Sequence, residues 1–145
     1  MSGMLKLMAE DAADLDIIAA AAQDALVRVG DINLDKKARR FTALMSRFRW
    51  ETAGKGGPFE RVRAALSVEG VLAVRSRHVR QDAPDALAAL LSVGFTPAAE
   101  PPGGTVSLML AGGGEILIEV ECLDALLFDL GPVWPTPRRP DHEKA

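Results

Sequence analysis

Apolar and polar positions alternate along most of this chain, with two different periods. From Asp11 the apolar residues Leu15, Ile18, Ala19 and Ala22 recur at i, i+3, i+4 and i+7, the spacing of one buried helix face. Asp11 and Asp14 set carboxylates at the positive N-terminal end of that helix, and a short apolar stretch from Leu5 to Met8 precedes it. After Asp24 the period shortens. Leu26, Val27, Val29 and Ile32 form a β-rich run that stops at the polar turn Asp35-Lys36-Lys37, and a strand follows from Arg39 to Trp50. Thr52 to Pro58, with Gly54, Gly56 and Gly57, reads as a loop. Arg61 to Val68 alternates strictly, with Val62, Ala64, Leu66 and Val68 on one face. Glu69-Gly70 is a tight turn, and Leu72 to Val79 is the returning strand.

Beyond the polar break Asp82 to Asp85, the segment Ala86 to Phe95 fits a helix or a strand. Thr96 to Gly104, rich in Pro and Gly, carries the chain across one end of a sheet. The clearest element is a hairpin: Val106, Leu108 and Leu110 alternate into Gly112-Gly113-Gly114, and Ile116, Ile118 and Val120 alternate out of it. Leu123, Leu126, Leu127 and Leu130 share a helical stripe that Gly131-Pro132 stops. These elements predict a single α+β domain over residues 1–131 and a Pro-rich, extended or disordered tail over 132–145. The fold expected is a mostly antiparallel sheet, or a partly open barrel of the pleckstrin-homology type, with about seven strands and an N-terminal and a C-terminal helix. The alternative is a helix packed on one twisted antiparallel sheet.

With 145 residues and 48% apolar content, such a domain builds its core without covalent staples, burying about 68–70% of the surface of the unfolded chain. One cysteine, Cys122, excludes an intrachain disulfide, and with only His78 and His142 besides it no Cys/His zinc pattern can be assembled. A carboxylate-rich site for a hard cation is conceivable, but no calcium-loop spacing occurs, and neither a metal nor a cofactor is expected. The N-terminus turns acidic within ten residues and offers no secretory signal. The apolar run from Ile17 to Ala22, bracketed by Asp16 and Gln23, falls far short of the roughly 20 residues that cross a bilayer. A cytoplasmic location is the expectation.

Charge changes this picture. The formal net charge of −3 hides a segregation, because residues 28–80 hold 13 Lys and Arg against five acids while the rest holds four against 15. Within the basic block, arginines come in i, i+2 pairs: Arg47/Arg49, Arg61/Arg63 and Arg75/Arg77. Period two puts both members of a pair on one face of their strand. With Leu44, Phe48 and Trp50 inward in the first strand, and Leu72 and Val74 sharing the inward face of the third, all six arginines line one outer face of a three-stranded meander. Such a face suits an anionic small molecule or an acidic protein partner, since a guanidinium matches two oxygens at once. The bland alternative is a solvated face, or one paired with Glu115, Glu119 and Glu121 of the same chain or a second subunit. Nucleic acid is disfavoured: aromatics make up 5% of the chain, tyrosine is absent, and Phe41, Phe48 and Trp50 are better explained as core.

No catalytic set emerges. Ser76 and His78 share a strand face but lack an orienting acid, Cys122 reads as a small buried residue, and Glu119/Glu121 have the spacing of a solvated face. Gly112-Gly113-Gly114 precedes a strand, whereas a phosphate loop opens a helix. Finally, Leu5-Lys6-Leu7, Ala9-x-Asp11-Ala12-x-Asp14-Leu15, Gln23-Asp24-Ala25, Arg47-Phe48-Arg49-Trp50-Glu51, Val71-Leu72-Ala73-Val74-x-Ser76-Arg77, Ala111-Gly112-Gly113-Gly114-x-Ile116, Val120-Glu121-Cys122 and Asp129-Leu130-Gly131-Pro132 resemble a small alphaproteobacterial family classed as a domain of unknown function. The resemblance spans all but the last dozen residues and implies no activity, cofactor or site residue. The reading reached is a non-enzymatic binding or interaction module. A small enzyme, and a homo-oligomer that pairs basic with acidic faces, stand as alternatives.

Overall fold

The computed structural model describes residues 4–53, 57–137 and 139–140. In chain order the elements are β1 (Lys6–Ala9), α1 (Ala12–Ala21), β2 (Leu26–Asp35), β3 (Arg40–Phe48), α2 (Trp50–Ala53), β4 (Glu60–Val68), β5 (Val71–Arg77), β6 (Leu87–Pro97), β7 (Gly104–Leu110), β8 (Glu115–Val120) and β9 (Ala125–Pro135). The strands form one antiparallel sheet in the order β1-β9-β4-β3-β2-β6-β7-β8-β5, which is not closed and leaves β1 and β5 at its edges.

Inward residues from both halves of the sheet meet in one apolar cluster. Phe41, Ala43 and Met45 of β3 and Ala64, Leu66 and Val68 of β4 belong to it together with Val106 and Leu108 of β7 and Ile116, Ile118 and Val120 of β8. The sheet is therefore folded over, with its two halves face to face. Helix α1 begins where the sequence places it: Asp11 is the N-cap, its side chain accepting from the Asp14 N–H at 2.8 Å, and Leu15, Ile18 and Ala22 are buried.

The connectivity repeats. Exchanging β2 with β6, β3 with β7, β4 with β8 and β5 with β9 maps the order β9-β4-β3-β2-β6-β7-β8-β5 onto itself read backwards. Each half is a three-stranded meander whose fourth strand leaves to pair with the last strand of the other: β5 with β8, and β9 with β4. The two crossovers touch, Glu69 N–H donating to Asp124 O at 2.9 Å and Glu121 N–H to Gly70 O at 3.0 Å.

Several expectations change. Leu126, Leu127 and Leu130 lie not in a C-terminal helix but in β9, which Leu123 precedes, and Leu123, Ala125 and Leu127 are buried at period two. Without that helix, and with nine strands in an open sheet, the arrangement is not a seven-stranded pleckstrin-homology-like barrel between two terminal helices. The stretch Leu5 to Met8 contributes a strand, Ala86 to Phe95 lies largely in β6, and Trp50 opens the single turn α2. Gly131-Pro132 does not end β9, which continues to Pro135 with Val133, Trp134 and Pro135 opposite Val62, Arg61 and Glu60. Of the tail 132–145, Arg138 and residues 141–145 lie outside the described residues, as do 54–56 of the expected loop.

Candidate binding cleft

The arginine pairs separate, because β5 follows β4 in the chain but does not lie beside it in the sheet. β4 pairs with β3 and β9, and β5 crosses to β8 on the opposite half of the sheet, so Arg61/Arg63 and Arg75/Arg77 occupy different walls. β3 also has the opposite phase from the one expected: Phe41, Ala43 and Met45 face the core and Arg47 continues their face.

Arg47 is fully buried. Its Nε and Nη2 donate to the two Asp129 carboxylate oxygens, both at 2.8 Å, Nη2 and Nη1 donate to Glu51 at 2.7 and 3.0 Å, and Nη1 reaches Phe48 O at 3.4 Å. Five contacts thus serve its five N–H groups. The Asp129 side chain, only 1% exposed, also accepts from the Leu5 N–H at 2.9 Å, which ties β1 to the same centre. Burial alone would lower the Arg47 pKa, but its carboxylate partners outweigh that and raise it. Burial alone would raise the Glu51 carboxyl, and the bonds from Arg47 instead hold it below the ordinary carboxylate range. Arg49, 4% exposed, pairs with Glu60 at 2.6 Å. Arg61 donates to Ser46 O at 2.9 Å, its pKa lowered by burial. Arg63 is 46% exposed and lies 3.9 Å from Asp31. Arg75 and Arg77 are exposed at the β5 edge, Arg77 at 3.4 Å from Glu115. No single arginine face exists. Arg47 and Arg49 hold the fold together from inside, and the internal pairing with Glu115 is realised for Arg77.

The other singled-out residues do not converge either. Ser76 Oγ accepts from Gln81 Nε2 at 2.9 Å, while His78 lines a different, smaller depression with Arg80 and Leu87. Cys122 is exposed where burial was expected. Gly112 and Gly113, with φ of 86° and 88°, form the β7–β8 turn. Glu121 pairs with Arg39. Among the described residues, no cluster of three or more His, Cys, Asp or Glu side chains has metal-binding geometry, and no helix is long and apolar enough to cross a membrane.

A cleft missed by the sequence reading lies between β2 and β5. Between Val27 and Ile32, β2 loses register with β3 and bulges away. Val29 and Gly30 N–H donate instead to Ala86 O and Pro84 O at 2.9 and 2.8 Å, and Arg28 binds Asp31 and Asp85 across the bulge. A Cβ on Gly30 would sit 3.0 Å from Pro84 O, so this close approach needs glycine. The bulge opens a cavity of about 390 Å³ walled by Ile32, Leu34, Phe41, Val74, Val79 and Ile116, with Ser76 and Gln81 as its polar side chains. That volume falls in the usual range for small-molecule sites. The only sequence signal for it is Gly30 itself, a glycine inside a strand pattern.

The repeated connectivity explains why the cleft is open. The counterparts of β2 and β5 are β6 and β9, and α1 packs against β6, β9 and β1 with Leu15 and Ile18 buried. One of two equivalent gaps is plugged by α1; the other, among the described residues, has no helix.

The chain belongs to the family described as Protein of unknown function (DUF2948), whose model matches residues 5–142. No curated protein matches it.

Proposed function

We propose that this DUF2948 protein is a non-enzymatic binding module and that the cleft between β2 and β5 receives its ligand. The observation that carries the reading is the contrast between the gap filled by α1 and its open counterpart of about 390 Å³. The chemistry of the walls favours a small, mainly apolar ligand with one hydrogen-bonding end, since aliphatic and aromatic side chains dominate and Ser76 with Gln81 supply directional polar groups. An enzyme reading finds less support, because among the described residues no acid, base or thiol lines the cleft to move a proton or attack a substrate.

The test is a titration of the folded protein with anilinonaphthalene sulfonate, an amphiphilic dye with an apolar aromatic body and one anionic end. Saturable binding to one site is expected, abolished by Ile32→Trp at an unchanged melting temperature. Absence of binding, or binding indifferent to that substitution, overturns the proposal.

A further inference from the structure

A second asymmetry between the two halves concerns their edges. β9 does not end the sheet, because β1 pairs along its first four residues, Ala125 to Phe128. Among the described residues its counterpart β5 pairs with β8 alone and ends the sheet. One rung of the β5 edge is occupied, Val71 N–H donating to Arg39 O at 2.9 Å, and beyond it the strand runs from Leu72 to Arg77. Leu72 is 60% exposed there, lifted outward by the register shift between Val71 and Ala73 that overturns its expected inward placement. Arg75 and Arg77 stand on the outer face opposite Leu117 and Glu115.

The geometry points to the free edge of β5 as a strand-addition site for an acidic, extended segment of a partner protein, lying where β1 lies on β9. Main-chain bonds to the edge supply the pairing, and alternate side chains supply the selection. Carboxylates on the partner's outer face meet Arg75 and Arg77, while its inward residues cover the rim of the β2–β5 cleft beside Val74 and Ser76. A second copy of this chain is a poor occupant. Pairing two β5 edges antiparallel brings four arginines onto one face within a few rungs, where like charges oppose each other. This site goes beyond the ligand cleft and stands or falls separately from it.

The probe is a synthetic hexapeptide of alternating Glu and Val with blocked ends, titrated against the full chain by fluorescence anisotropy. Binding is expected to weaken about tenfold or more on Arg75→Glu/Arg77→Glu reversal and to fall steeply with salt. Of two peptides N-methylated at alternate residues in opposite phases, one loses binding and the other keeps it, because only one phase of peptide N–H groups faces β5. The charge-reversed variant keeps dye binding in the β2–β5 cleft within about threefold, since neither arginine lines it, which separates this outcome from failure of the ligand cleft. Absence of binding, equal binding to the charge-reversed variant, or survival of both N-methylated peptides overturns the proposal. An alternating Lys and Val peptide that binds as well overturns the acidic selectivity and with it the inference.

Discussion

Strands β2–β4 and β6–β8 share one connectivity, yet the first meander buries a charged centre where the second buries only aliphatic side chains. At Arg47 a guanidinium at 0% exposure is enclosed by Asp129, Glu51 and a carbonyl. In β7 and β8 the corresponding interior is Val106, Leu108, Leu110, Ile116, Ile118 and Val120. The two solutions fail differently. An aliphatic interior loses stability in proportion to what is removed, whereas a buried ion pair is neutral when complete and costly when broken. The charged centre also joins three remote segments, β1 through Leu5, β3 through Arg47 and β9 through Asp129.

Breaking the comparison at its strongest point, Arg47→Ala leaves Asp129 buried without its partner and lowers stability by about 3–5 kcal/mol in urea unfolding. The paired replacement Arg47→Met/Asp129→Leu restores most of that, to within about 1 kcal/mol of the parent, if the centre serves pairing more than net stability. Next in size is the plugged gap. Ile18→Ala, at a fully buried position of α1, costs about 2–4 kcal/mol, while Ile32→Ala in the open cleft costs about 1 kcal/mol or less, read as a difference in denaturation midpoint. A smaller effect distinguishes the centres by pH. The Glu51 carboxyl is held low in the folded chain, so its contribution is present above its unfolded pKa near 4.5 and fades as pH falls through the lower folded value. Thermal melts between pH 6 and pH 3 are expected to be flatter for Glu51→Gln than for the parent. Smallest of all, Arg75→Ala on the exposed β5 edge changes stability by no more than about 0.5 kcal/mol.

The interior of β7, β8 and β4 is readable because each strand has one apolar and one mixed face, so period two admits a single phase. β3 is not. Phe41 and Met45 on one face compete with Leu44 and Phe48 on the other, and the partner that Arg47 meets on the Phe41 face, Asp129, lies 82 residues away and carries no local mark. Phe48 is buried all the same, on the other face, against Trp50 at 4.6 Å and Phe59 at 5.9 Å. The leucines after Cys122 satisfy a helical spacing as well as a strand's, and the flanking strands β4 and β1 decide between them. The short turn Glu69-Gly70 reads as a hairpin, but the slot beside β4 goes to β9, a partner that no local pattern announces. The arginine face was lost with that slot, while the cleft stayed hidden because its walls come from β2, β3, β5 and β8.

The exchange of fourth strands also imposes a timetable on synthesis. The edge of β4 that β9 covers is complete at Val68, but its partner starts only at Ala125. At about 5–20 residues per second that is roughly 3–11 s during which the first meander leaves the ribosome with a bare edge. Glu60, Arg61 and Arg63 place charges along that edge, the side-chain type that discourages pairing with another nascent chain.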